Sequence, residues 1–338
     1  MHSFDFDRFD KVVVNLSGGT KVMTMVAEEF FKSIGADMFY VTGKKNEYIQ
    51  VSPQNTDSVS TFERKLTVSD YLTAYGFTFS KPKPPMYPIG VAEPILELYS
   101  SDERLLENKD AIRFINLQRN KGKGVKAEDF GKVRPLLDGI RFPFQNNQLS
   151  AAEVKYLSGE WLEEYVGLKI KEELNISDEE IFIGTNIFKE VGNGREKNNS
   201  RLLLGENANL KNADSKNEMD VMFMYKGVFY SIECKSSVIA YKTVIGKDGN
   251  PIDKPYNILG ETIYKSDSLK NKFGLFPKTT ILTLTDLQKY WADIEDKGLR
   301  NNRMREMEDF INRANLSNIK LVDRKMINSA KSIFELIK

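Results

Sequence analysis

The sequence predicts an α/β protein with two folded parts, and three observations carry that prediction. Near the start, the β-branched run Lys11-Val12-Val13-Val14-Asn15-Leu16 meets a glycine turn, Ser17 to Lys21, and then a helix-like stretch, Val22 to Phe31. A buried strand, a glycine turn and a helix form the opening of a βαβ unit. Far downstream, Asn217 to Phe223 and Phe229 to Ser237 are β-favouring runs separated by Tyr225-Lys226-Gly227, which reads as a β-hairpin. Between them Lys81-Pro82-Lys83-Pro84-Pro85-Met86-Tyr87-Pro88 can be neither regular helix nor central strand. With 338 residues the chain is long enough for two separate cores.

Taken in order, Ala36 to Thr42 and Glu47 to Ser52 supply two more strands after the first helix. Together these elements are half of a Rossmann-like sheet. Thr67 to Phe77 reads as a short capped helix ending at Gly76. Residues 91–140 look helical, with Ile95, Leu98, Tyr99, Leu105 and Leu106 at spaced apolar positions. The same region carries Arg113, Arg119, Lys121, Lys123 and Lys126, which read as a solvated helix end and loop with a nucleic-acid contact as the alternative. Leu157, Trp161, Tyr165 and Leu168 recur at helical spacing and define a buried stripe, beside which Glu160 and Glu163 lie one turn apart. Ile181 to Val191 is a strand. The polar runs Gly192 to Ser200 and Asn207 to Lys216 are expected to be surface loops. After the hairpin come a helix at Gly260 to Lys270 with Ile263 and Leu269 inward, a last core strand at Thr279 to Thr285, and a charged helix at Leu299 to Asn315.

Composition narrows the functional classes. Lysine and arginine number 49 against 48 acidic residues, a net charge of +1, so any nucleic-acid contact must come from local patches rather than from the global field. One cysteine, Cys234, and one histidine, His2, exclude an internal disulfide and a zinc cluster within the chain. Cys234 is read as a small buried residue on the opposite side of its strand. No run approaches the roughly 20 apolar residues of a membrane span, and Met1 to Asp10 is too acidic for a signal peptide. A cytoplasmic protein with no membrane partner is expected.

The hairpin concentrates the chemistry. Side chains alternate faces along a strand, so Glu218 and Asp220 share one face of the first strand, and Glu233 and Lys235 share one face of the second. Pairing would gather three carboxylates and an ammonium on one patch of sheet. Carboxylates so close raise one another's pKa unless a cation lies among them, and a hard divalent cation takes oxygen ligands of this kind. Acids spaced one residue from a lysine are common on solvated faces. The apolar flanks Val221-Met222-Phe223 and Tyr230 with Ile232 read as interior strands, which places these charges at the end or open face of a core sheet.

Asp220 and Glu233-Cys234-Lys235 resemble the metal site of the PD-(D/E)xK nucleases, with Met219 where the family's proline usually stands. The resemblance implies a restriction-endonuclease-like α/β domain with a mixed central sheet. It implies Mg²⁺ or Mn²⁺ held by Asp220, Glu233, the backbone carbonyl of Cys234 and a helix glutamate. That glutamate commonly falls four residues after a glycine, so Gly159 marks Glu163 first and Glu160 second. Asp220, Glu233, Lys235 and Glu163 are then the catalytic set, and Lys265 on the following helix would face the phosphates. Asn15-Leu16-Ser17-Gly18-Gly19-Thr20-Lys21 resembles the glycine signature of CARF domains, Rossmann-like sensors of cyclic oligoadenylates in CRISPR defence. In one group of these proteins the sensor precedes such a nuclease. This resemblance implies that Ser17, Gly18, Gly19, Thr20 and Lys21 contact a cyclic oligoadenylate, for example cyclic tetra-adenylate. It implies a homodimer acting on DNA or RNA in type III antiviral defence. Such sensors begin with an additional strand and helix, so an N-terminally shortened sensor is expected here. The expected domains are a partial sensor at 1–80, a helical, winged-helix-like linker at 81–150 and a nuclease at 151–338. A catalytically inactive nucleic-acid-binding or oligoadenylate-sensing regulator is the second reading.

Overall fold

β-branched Val13 and Val14 form the short strand β1 (Val13–Asn15), and Thr20 then caps the helix α1 (Lys21–Ser33) by accepting from the Met23 N–H. The computed structural model describes residues 9–18, 20–41, 47–52, 59–61, 65–189, 217–245, 251–274, 277–289 and 297–338. Helix α1 leads to β2 (Asp37–Val41), which lies parallel to β1 with Val14 opposite Met38, the crossover expected of a βαβ unit. β3 (Glu47–Ser52) and β4 (Val59–Thr61) add antiparallel, giving the four-stranded order β1-β2-β3-β4. Three-residue β4 has no period of its own and was not expected from sequence. Met1–Leu66, with Lys226–Val228, forms one compact unit; Thr67–Tyr225 with Phe229–Lys338 forms the other.

The second unit begins earlier than the expected boundary at residue 80. Helix α2 (Val68–Ala74) buries Val68 and Leu72 in a core shared with Phe77, Phe182, Met222 and Phe229. β5 (Phe77–Phe79) pairs antiparallel with β6 (Ile181–Lys189). Tertiary pairing, which a three-residue strand cannot announce in sequence, therefore assigns this stretch to the larger sheet. The start of α2 is a capping box: Asp70 N–H donates to Thr67 Oγ1 at 3.0 Å and Thr67 N–H donates to Asp70 Oδ2 at 3.0 Å. Thr67→Ala is expected to lower the unfolding free energy by about 1 kcal/mol, measured from the urea midpoint at unchanged slope.

The proline segment is pinned rather than loose, because Glu164 accepts from Met86 N–H at 2.8 Å and Tyr87 N–H at 3.4 Å. Beyond it run α3 (Ile89–Ser100), α4 (Asp102–Glu107), α5 (Lys109–Asn120) and α6 (Arg134–Gly139), with Ile95, Leu98, Ile115 and Leu137 buried. Next come α7 (Ala151–Lys155), a π-helical turn over Tyr156–Glu160, and α8 (Trp161–Leu174). The break between α7 and α8 falls at Gly159, whose backbone is non-helical. Leu157, Trp161 and Tyr165 of the expected stripe are buried; Leu168 is only half-buried, and Val166 and Ile170 take its place in the core.

The large sheet is built around β7 (Asn217–Tyr225) and β8 (Val228–Lys235), joined by a tight turn in which Lys226 and Gly227 both have positive φ. Every residue from Met219 to Met224 and from Phe229 to Cys234 is buried. Phe223 stacks on Tyr230 across the hairpin, with ring centroids 4.6 Å apart. The hairpin β9 (Ile239–Ile245) and β10 (Pro251–Asn257) follows, then α9 (Leu259–Lys270), β11 (Lys278–Thr283) and α10 (Lys297–Leu316). β11 is not the last core strand: β12 (Ile319–Val322) pairs parallel to it, and α11 (Arg324–Ser329) and α12 (Ile333–Ile337) close the chain. The order β12-β11-β8-β7-β6-β5 is mixed, with β12, β11 and β8 parallel and β7, β6 and β5 alternating, as expected. The expected loops at Gly192–Ser200 and Asn207–Lys216 lie outside the described residues.

Candidate metal and nucleic-acid site

A hairpin places the start of its first strand beside the end of its second, so Asp220 and Glu233-Cys234-Lys235 meet at one end of the sheet. The Lys235 ammonium donates to Glu233 Oε1 at 2.7 Å, to the Cys234 carbonyl at 3.2 Å and to Asp220 Oδ2 at 3.3 Å. The Cys234 N–H donates to Asp220 Oδ2 at 2.7 Å. One ammonium thus spans both carboxylates and the peptide expected to serve them. From α9, the Lys265 ammonium reaches Glu233 Oε1 at 3.0 Å, Glu233 Oε2 at 3.2 Å and the Glu218 carbonyl at 3.2 Å. Lys265, whose side chain is about a third exposed, thus meets the carboxylate directly. The Glu218 side chain is exposed, its backbone oxygen accepts from Lys265, and its charge adds to the crowding around Glu163.

Glu163 comes in from α8. Two glycines that sequence reasoning passed over bring it there. Gly167, one turn further along α8, lies so close to β6 that a Cβ would sit 2.4 Å from Ile183 Cδ1, so the Ile183 side chain packs directly on the α8 backbone. Gly184, in the left-handed region at φ +56°, interrupts β6 between Ile183 opposite Val221 and Thr185 opposite Met219, at the level of Asp220. A Cβ on Gly184 would stand 3.7 Å from Glu163 Oε2. A glycine inside a strand pattern was the signal in the sequence for this close approach. Glu160, the second choice, is ion-paired to Lys155.

The electrostatics follow from that crowding. Burial, followed by the charges of Asp220 and Glu160, pushes the Glu163 carboxyl up to about 9. Burial and then Glu233 raise Asp220 to about 6 against the pull of Lys235 and the Cys234 N–H. Burial works against the Lys235 charge, yet Asp220 and Glu233 together hold its ammonium well above its ordinary range. Cys234 is buried, and desolvation raises its thiol well above the usual value, which makes it inert as a nucleophile. Among the described residues no three His, Cys, Asp or Glu side chains converge closely enough to form a ready cation cage. The two lysines supply the compensating positive charge instead.

In the first unit, Asn15 Oδ1 accepts from Ser17 N–H at 2.9 Å and from Ser17 Oγ at 2.6 Å, and Ser17 Oγ accepts from Val41 N–H at 2.6 Å. This network fixes the turn between β1 and α1. Ser17, Gly18, Thr20 and Lys21 are exposed along it; Gly19 lies outside the described residues.

Comparison with known proteins gives a family match to the first part and fold matches over nearly the whole chain. Residues 1–71 match the family CARF_Card1, described as the Card1 CARF domain, so the first unit is CARF-like. No curated protein matches the chain. Among the solved structures that share its fold, one is protein VC1899 from Vibrio cholerae, at 19% identity and TM-score 0.57 over 94% of this chain and 73% of that one. Another is Can2 from Sulfobacillus thermosulfidooxidans in complex with cyclic tetra-adenylate, at 18% identity and TM-score 0.57 over 98% of this chain and 78% of that one. Among the described residues no helix is long and apolar enough to cross a membrane.

Proposed function

We propose that this chain is a CARF-type CRISPR effector whose second unit hydrolyses phosphodiester bonds in DNA or RNA with a divalent cation. The observation that carries the reading is the meeting of Asp220, Glu233 and Lys235 at one sheet end, with Glu163 reaching toward them from α8 and burial raising both Asp220 and Glu163. Hard oxygen donors on a sheet suit Mg²⁺ or Mn²⁺, and Asp220, Glu233, the Cys234 carbonyl and Glu163 would hold it. Such a cation supplies Lewis acidity toward a phosphoryl oxygen and lowers the pKa of bound water. The protein's own part is positional. Lys235 keeps a compact, fully charged ammonium where negative charge grows on the phosphoryl oxygens, and the apolar strands behind it exclude bulk water. Lys265 fixes the orientation of Glu233 through both carboxylate oxygens.

The first unit would sense a cyclic oligoadenylate. The family match over residues 1–71 supports this, as does the exposed turn Ser17, Gly18, Thr20 and Lys21 at the N-terminus of α1, where free N–H groups favour phosphate. That Can2 is described with cyclic tetra-adenylate bound makes this ring the first ligand to try. A homodimer is supported by α1, which leaves Val22, Met23, Met25 and Val26 exposed. Gating requires the ligand to bind one arrangement of the pair better than the other.

The test is a cleavage panel of labelled single- and double-stranded DNA and RNA, with Mg²⁺, Mn²⁺ or chelator, and with or without cyclic tetra- and hexa-adenylate. Cleavage is expected only with a divalent cation and to rise at least tenfold with one of the rings. Absence of cleavage under every combination would sink the nuclease reading, and calorimetry with the same rings would then decide whether the chain is an inactive sensor.

A further inference from the structure

The kink at Gly159 does more than turn α8. On the side where this residue has no side chain, a Cβ would come within 3.4 Å of Arg119 Nη1 and 4.0 Å of Ser236 Oγ. Arg119 stands at the last turn of α5 and Ser236 is the residue after Lys235, so α5 reaches the very end of the candidate active strand. The Arg119 guanidinium donates to the Ser158 carbonyl, just before the break in the helix, at 3.3 Å. That bond uses one of its five N–H donors, and the side chain is otherwise exposed. Around it residues 109–126 carry Lys109, Arg113, Arg119, Lys121, Lys123 and Lys126 against the single acid Asp110. In a chain of net charge +1, this is a local basic surface, and it is anchored beside Lys235.

We infer that Arg119, with the Ser236 hydroxyl across the open side of Gly159, grips a backbone phosphate of the nucleic-acid substrate next to the bond that is cut. The inference rests on the nuclease reading for the position of that bond, but its own content is a phosphate contact. A guanidinium already oriented by one carbonyl presents the rest of its planar fork at little entropic cost, and the fork matches two phosphate oxygens. With no Cβ at Gly159, Arg119 Nη1 and Ser236 Oγ both stand within 4.0 Å of one point. Such a contact fixes register on the strand without reading sequence.

The experiment uses the full chain carrying Asp220→Asn, which leaves the substrate uncut, and labelled single- and double-stranded DNA and RNA oligonucleotides titrated across a KCl series. Adding Arg119→Ala is expected to weaken binding about 5- to 10-fold and to flatten the slope of log K against log salt by about one. Arg119→Lys is expected to restore the slope but only part of the affinity. Parental affinity and slope in Arg119→Ala would overturn the contact, as would failure of both chains to bind any oligonucleotide. A lowered melting temperature with the salt slope untouched would also overturn it, because that is the signature of a residue that only braces the kink. Cleavage by the chain with Asp220 intact is read separately. If that chain cuts nothing while Arg119→Ala loses affinity and slope, the contact stands and the nuclease reading falls. If it cuts and Arg119→Ala changes neither binding nor KM, the contact falls and the nuclease reading stands.

Discussion

Asp220→Asn is expected to abolish phosphodiester cleavage, with a loss on the order of 10³-fold or more, the scale on which removal of a preorganised charged group acts in an active site, while the protein remains folded. The reason for the first half is that Asp220 is the buried carboxylate joining β7 to β8: it accepts from the Cys234 N–H and from Lys235, and it faces Glu163. Asparagine of the same shape can still accept the Cys234 N–H through its amide oxygen, so the strand pair keeps that bond. What disappears is a negative charge that burial and Glu233 already disfavour. The melting temperature in chelator at pH 7.5 is therefore expected to equal or exceed that of the parent. Added Mg²⁺ or Mn²⁺ should raise the melting temperature of the parent and not that of Asp220→Asn, since a ligand that binds only the native state stabilises it by mass action. A substituted protein that cuts as well as the parent would remove Asp220 from the mechanism.

The ease of reading this site from sequence follows from where its information resides. Strand alternation puts Glu233 and Lys235 together and the turn at Tyr225-Lys226-Gly227 brings them to the start of β7, but alternation leaves Glu218 and Asp220 equal, and only the resemblance to the nuclease motif singled out Asp220. Helical spacing marked α8 and α9 because each has an apolar side long enough to show a period. The signal failed for elements whose identity is decided by their partners. Three-residue β4 and β5 and four-residue β12 carry no period, and only pairing with β3, β6 and β11 makes them strands. The choice of Glu163 over Glu160 rested on a spacing from Gly159. The physical cause of its placement lies in two other glycines, Gly167 and Gly184, whose role is visible only when helix and sheet are in contact. Arg119 was one basic residue in a run until α5 was seen to abut the kink beside Ser236.

Gly167→Val puts that helix-to-sheet contact to a direct test and is expected to reduce both stability and cleavage. The first added carbon would lie 2.4 Å from Ile183 Cδ1 and 2.6 Å from Ile183 Cγ1, distances no packed side chains adopt, so α8 must lift from β6 or Ile183 must leave its place. Overpacking of this kind costs about 1–3 kcal/mol, more than the few tenths gained by replacing a helix glycine with valine. Glu163 is one turn from Gly167 on the same side of α8, so lifting the helix draws its carboxylate away from Gly184 and Asp220. Cleavage should then fall with little change in substrate affinity, as expected when a group is moved from the reacting centre rather than from the binding surface. Ile183→Ala makes the complementary space. Alone it should cost about 2 kcal/mol or more by leaving a partly empty site, yet combined with Gly167→Val it should recover much of the lost stability and activity. The double-mutant cycle should show a coupling energy above about 1 kcal/mol, the range found for residues in contact. Strict additivity of the two substitutions would mean that α8 is not held against β6 at this pair, and the account of how Glu163 reaches the site would fall with it.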